Sequence, residues 1–173
     1  MSRVQALADH LAPDSISLLE RSAQQRISDA TCLSTDGRTL IALYLLGYAV
    51  EMCLAAAFFR SDGFAPNTPI DRETRKRRMA QARQIQAEDG VPLMSSDPHP
   101  LVGWARYLQW KRRLSETLSQ PEIERLREAV RRAQIVYRHW RPELRYKSTH
   151  VRVAQLTEVR LAAEWFIQNL GRI

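Results

Sequence analysis

The feature that most constrains this sequence is one long apolar stretch, "TLIALYLLGYAVEMCLAAAFF", at residues 39–59. It has the length of a membrane span, but Glu51 near its middle would cost roughly 2.5–3.5 kcal/mol in a bilayer. The rest of the sequence is amphipathic and basic, which is typical of a water-soluble bundle. We therefore predict a buried central helix from about Arg38 to Arg60. Because nearly every side of this helix is apolar, a second subunit could bury part of its apolar surface.

Further helical patterns flank this stretch and carry start and stop signals. They span residues 14–33, 70–90, 101–114, 122–140 and 148–171. Asp14 or Ser15 is placed to cap the first, Pro121 to begin the fifth, and Ser148 or Thr149 to cap the sixth. No strand alternation is present. The fold class predicted is all-α, an antiparallel bundle of five to six helices, with residues 1–173 forming a single domain whose core spans about 14–170.

The charge of the chain points to an anionic partner. The formal net charge is +7, and nearly all of the positive charge is arginine, whose planar group suits phosphate. A cluster in the third predicted helix is therefore a candidate nucleic-acid surface, formed by Arg72, Arg75, Lys76, Arg77 and Arg78. The alternative is that this run of charge is a solvated helix face.

The residues that usually bind metals are scattered. The chain has two cysteines, Cys32 and Cys53, without metal-ligand spacing, and four histidines without acidic or thiol partners at ligand spacing. We predict no metal site and no cofactor. The start of the sequence has no signal-peptide pattern, so a reduced, cytoplasmic protein without membrane contact is expected.

The connector "WRPELRYKSTH", residues 140–150, is unusual because it contains two aromatic residues, a proline, two arginines and a histidine. The pattern places Arg145 just before the last helix and His150 in its first turn, where free backbone N–H groups favour phosphate. A histidine can transfer protons near neutral pH. Together they suit RNA cleavage by the adjacent 2′-hydroxyl, a reaction that needs no metal.

Three segments give the chain a family resemblance. They are "RISDATCL" followed by "GRTLIALYLLGYAVEMCLAAAF", then "HPLVGWARYL", and finally "YRHWRPELRY". With these segments the chain resembles the HEPN domains, small α-helical bundles common in bacteria. The resemblance implies a homodimer in which an arginine and a histidine four to six residues later form a metal-independent ribonuclease cleft. Arg145 and His150 match that motif, with Glu51 as the polar residue of the second helix. It also implies, in some members, a nucleotidyltransferase antitoxin as partner.

The sequence therefore leaves two main functions open. The first is a homodimeric endoribonuclease of toxin or defence type, with Arg145 and His150 catalytic, and Glu51 and Tyr146 supporting them. The second is a non-catalytic module that binds a nucleotide, nucleic acid or protein. A DNA-binding accessory protein is a third, weaker reading. The alternative for these residues is a purely structural role. Arg145 could form an ion pair with Glu143 or Glu51, and Tyr146 and Trp140 are predicted to be core anchors.

Overall fold

The computed structural model describes residues 14–88, 99–115, 117–147 and 150–173. In these ranges the chain forms helices and no strand, which confirms the all-α prediction. The helices are α1 (Ile16–Thr35), α2 (Thr39–Ser61), α3 (Arg72–Glu88), α4 (Leu101–Ser115), α5 (Gln120–His139) and α6 (Val153–Gln168). A short 3₁₀ helix, Pro142–Tyr146, lies between α5 and α6.

Two of the predicted helix starts have local capping chemistry. The Ser15 hydroxyl accepts a hydrogen bond from the backbone N–H of Leu18 at 3.2 Å, which satisfies one of the free donors at the start of α1. At α5, Glu122 accepts from the backbone N–H of Ser119 at 2.9 Å, and Pro121 lies in the first turn. The predictions for these two starts are confirmed.

The start of α6 differs from the prediction. Helix α6 begins at Val153, so His150 is not in its first turn, and Ser148 and Thr149 lie outside the described residues. Val151 is buried against the bundle, and its carbonyl accepts a hydrogen bond from Thr39 at 3.5 Å. The backbone N–H of Arg152 is bonded by the Gln155 side chain at 3.0 Å. Burial of Val151 therefore holds this segment in an extended form, and α6 begins several residues later than predicted.

Helices α1 and α2 are antiparallel, and the directions of α4, α5 and α6 follow from their contacts with the rest of the bundle. The Arg60–Glu20 ion pair joins the end of α2 to the start of α1. Helix α4 runs in the same direction as α2, because His99, just before α4, pairs with Glu51, and Lys111, near the end of α4, pairs with Asp62. Helix α5 returns in the opposite direction, and α6 starts beside the start of α2. The bundle therefore has an elbow end, near the start of α2, and a far end, near residues 60–62.

The core surrounds the C-terminal half of α2. Every residue from Cys53 to Phe59 is buried. By length and apolar composition α2 could cross a membrane, but most of its apolar surface is covered by the rest of the chain. This burial accounts for the all-round apolar character of the helix and is consistent with a soluble protein.

The N-terminal half of α2 is covered less completely. One side of it carries partly exposed apolar residues at helical spacing, which we call the α2 stripe: Ile41, Tyr44, Leu45, Tyr48 and Met52. Ile41 is 44% exposed and the others are half-buried. The remaining uncovered apolar surface of α2 is thus concentrated at the elbow end.

The two cysteines should differ in reactivity. Cys53 is buried in the core, and burial raises the pKa of its thiol well above the ordinary value, whereas Cys32 is exposed on α1. Because the thiolate is the reactive form, we expect one equivalent of a thiol reagent to label the native protein at neutral pH and two to label the unfolded chain. Mass spectrometry should place the native label on Cys32; rapid native labelling of Cys53 would contradict the buried position of this part of α2.

Candidate functional site at the elbow

Trp140 anchors the elbow on α2. Its side chain is fully buried, as predicted, and its indole N–H donates to the Tyr44 carbonyl at 3.0 Å. The ring lies directly over Gly47, where a Cβ atom would come within 2.1 Å of the indole Cδ1. The glycine of α2 therefore provides the space that lets the segment after α5 approach the helix.

The 3₁₀ helix that follows presents Arg145 to solvent beside two tyrosines. Arg145 is exposed, and the nearby Tyr44 hydroxyl raises the pKa of its guanidinium above the usual value. Its Cζ atom lies 4.6 Å from the centroid of the Tyr146 ring. In the described part of the chain no ion pair joins Arg145 to Glu143, so that proposed locking contact is absent. The exposed charge is available to an anion.

Glu51 lies beneath this surface in a pair with His99. Glu51 Oε1 and His99 Nδ1 are 2.8 Å apart, and both side chains are half-buried. The His99 ring also lies edge-on to Tyr48 and Trp140, with centroids 6.2 Å and 6.1 Å away. Sequence reasoning did not place His99 in the site, although the segment "HPLVGWARYL" that carries part of the resemblance begins with it.

Tyr48 connects the arginine with the carboxylate–imidazole pair. Its hydroxyl is 3.4 Å from that of Tyr44. Burial, the Tyr44 hydroxyl and the Glu51 carboxylate all raise the pKa of Tyr48 well above the ordinary value, while Arg145 opposes them. Tyr48 is therefore a neutral phenol at physiological pH, suited to hydrogen bonding and not to taking up a proton. We call the following set the elbow site: Tyr44, Tyr48, Glu51, His99 and Arg145.

The structure places the other predicted site residues at the surface. His150 is exposed in the extended segment before α6, and within the part of the chain described no hydrogen bond or ion pair connects it to the elbow site. Tyr146 is 74% exposed, so the prediction that it is a core anchor is wrong. In this 3₁₀ helix Leu144 packs against the core, and Tyr146, two residues later in a helix of three residues per turn, points away from it.

Only some of the α3 residues that were predicted to bind nucleic acid are free to contact a ligand in solvent. Arg75 pairs with Asp14 at 2.7 Å, and Arg78 lies over the Phe64 ring at 5.4 Å from its centroid. Lys76 pairs with a carboxylate one turn earlier on the same helix. The other two members of the cluster are exposed. Part of this charge therefore attaches α3 to the bundle, and the rest faces solvent.

The elbow site combines a cation, the Glu51–His99 pair and two tyrosine hydroxyls. Such a set can hold a phosphodiester and move a proton. Within the described ranges no group of three or more His, Cys, Asp or Glu side chains could hold a metal ion. No protein-family model, no curated protein and no solved structure matches the chain.

Proposed function

We propose that the protein is a homodimeric, metal-independent endoribonuclease of the HEPN toxin or defence type, acting at the elbow site. The observation that carries this proposal is the position of Arg145. Its guanidinium is exposed beside Tyr44, and Tyr48 connects this position to the Glu51–His99 pair. A phosphate bound by Arg145 would therefore lie near a histidine that is oriented by a carboxylate.

The proposed reaction is cleavage of RNA by its own 2′-hydroxyl. A base removes the hydroxyl proton, and the oxygen attacks the adjacent phosphorus while the bond to the 5′-oxygen breaks. An acid protonates the departing 5′-oxygen, leaving a 2′,3′-cyclic phosphate and a 5′-hydroxyl end. Arg145 would stabilise the charge that builds up on the phosphate oxygens. The reaction has two proton transfers, for which His99 and His150 are the candidates.

The α2 stripe supports a homodimer. Its apolar side chains are partly exposed, and Tyr44 and Tyr48 belong both to the stripe and to the elbow site. A second copy packed on this stripe would cover the remaining apolar surface of α2. It would also bring two Arg145 side chains, and the His150 of each copy, to one shared groove. The dimer that the family resemblance implies would thus complete the site.

The test is an RNA cleavage assay with purified protein in the presence of EDTA. We expect wild-type protein to sediment as a dimer and to release fragments with cyclic phosphate ends. Arg145→Ala should remain dimeric and lose about 100-fold or more in rate, the scale of removing one group that stabilises a developing oxyanion. Ile41→Asp, which places a charge on the α2 stripe, should give a monomer with a similar loss.

Leu161→Asp is the matched control for the dimer variant. Leu161 is also an exposed apolar residue, at 53%, but it lies on α6 and outside the α2 stripe. We expect this variant to stay dimeric and active. A dimer that leaves RNA intact, with RNA still bound in a manner dependent on Arg145, would favour the non-catalytic binding module. Cleavage that persists unchanged in Arg145→Ala would exclude the elbow site.

A further inference from the structure

A second charged feature lies at the far end of the bundle, a cavity of about 400 Å³ open to solvent. Its walls come from the ends of α2 and α4, the start of α5 and the turn after α6. Five cationic side chains line it: Arg60, Lys111, Arg112, Arg125 and Arg172. Glu122 is the one acidic side chain among the lining residues described. With a rise of 1.5 Å per residue, α2 separates this cavity from Tyr44 of the elbow site by about 24 Å.

The ion pairs of the lining residues do not neutralise all of the positive charge in the cavity. Three of its cations contact carboxylates, in the pairs Arg60–Glu20, Lys111–Asp62 and Arg112–Glu122. Arg125 and Arg172 form no ion pair with any described residue. In addition, the Nη1 donor of Arg60 is buried without a hydrogen-bond partner in the described part of the chain. Counted against the five cations, the carboxylates of Glu20, Asp62 and Glu122 still leave a net positive charge.

Helix electrostatics explain some of these cations and not others. Arg60 and Arg112 lie in the last turns of α2 and α4, where a cation interacts favourably with free carbonyl groups. Arg112 also donates to the carbonyl of Arg172 at 3.1 Å. Arg125, however, lies in the second turn of α5, where the backbone carbonyls are already hydrogen-bonded within the helix and offer no free acceptor to a cation. A bound anion would offset the repulsion of Arg125 from the neighbouring cations.

We propose that this cavity binds the polyphosphate group of a small anion, as found in inorganic triphosphate or in a nucleoside triphosphate. Arginine binds phosphate oxygens through two parallel N–H groups, and four arginines from separate elements converge here. The described lining contains no aromatic ring on which a base could stack, so the phosphates supply the recognition. This site is separate from the elbow site and does not depend on RNA cleavage.

The test is calorimetric titration of the full chain with inorganic triphosphate and, separately, with ATP. We expect saturable binding of both with similar affinities, weakening as salt is added because screening reduces the attraction between charges. The Arg125→Gln/Arg172→Gln double variant should bind each at least about tenfold more weakly, since it loses two charge-assisted contacts. Its melting temperature, measured in parallel, verifies that the fold is intact.

An Arg38→Gln/Arg138→Gln double variant is the matched control. It removes the same amount of charge from exposed positions at the elbow end, beside the start of α2 and at the end of α5, and should bind like wild type. Equal weakening in both variants would mean that the net charge of the protein, and not the cavity, attracts the anion. The proposal would also be overturned if neither ligand bound saturably, or if ATP bound and inorganic triphosphate did not.

Discussion

Replacing Gly47 by alanine should destabilise the protein, although the same change in the interior of a helix ordinarily stabilises it. The new methyl group would lie 2.1 Å from the Trp140 ring, well inside van der Waals contact. The indole is fully buried and bonded to the Tyr44 carbonyl, so it cannot move without breaking that bond. We expect a loss of about 3 kcal/mol, at the upper end of the usual overpacking cost. For a chain of this size that corresponds to a melting temperature lower by about 6–12 °C.

A double-mutant cycle with Trp140 identifies the cause of this effect. Trp140→Ala alone should cost about 3–5 kcal/mol, as for other buried aromatic residues. In that background Gly47→Ala should become neutral or stabilising by up to about 1 kcal/mol, because alanine favours helix over glycine and the clash is gone. Urea denaturation of the four proteins measures both numbers. An equal loss in the two backgrounds would show that Gly47 is needed for some reason other than the indole.

The same contact connects stability with the elbow site. Arg145 follows Trp140 by five residues, and the 3₁₀ helix between them starts from the position that the buried indole fixes. A displaced indole would therefore move the guanidinium away from Tyr44. The sequence analysis singled out both the apolar stretch that contains Gly47 and the connector that begins with Trp140, but not the contact between these two residues. The two are far apart in the chain, and only the packed structure brings them together.

Local signals allowed most of the fold to be predicted. The start of α1 at Ser15 and the start of α5 around Pro121 follow from capping chemistry that a few neighbouring residues provide. The start of α6 could not be predicted in this way. Its position depends on the burial of Val151 against α2, a tertiary contact that overrides the capping tendency of nearby serine and threonine.

The candidate site was predicted only in part. Arg145 and Glu51 both lie close enough to Tyr48 to affect the pKa of its hydroxyl. Of the two carboxylates considered as partners of Arg145, Glu51 is paired in the structure with His99, which is 48 residues away in the sequence. Pairings at such separations depend on the register between α2 and the start of α4. No local pattern in either segment encodes that register.

Replacing either His99 or His150 should strongly reduce RNA cleavage if the proposed function is correct. The reaction needs a base and an acid, and each proton transfer typically contributes about 10²- to 10⁴-fold. His99 is oriented by Glu51 within the elbow site, and His150 is exposed before α6, where it would face the proposed groove between two copies. We therefore expect His99→Gln and His150→Ala each to lower the cleavage rate by about that factor. Both should leave the dimer and the melting temperature close to wild type.

The pH dependence of cleavage distinguishes the two roles. A rate that needs one group deprotonated and another protonated gives a bell-shaped profile, and loss of one histidine should remove one limb of it. His139 provides a matched control, because it also pairs with a glutamate, Glu158 at 3.1 Å, but on α5 and outside the elbow site. His139→Gln should keep the full profile. If His150→Ala were inactive while His99→Gln kept the wild-type rate and profile, His99 would have only a structural role and the proton transfers would belong to the groove between subunits.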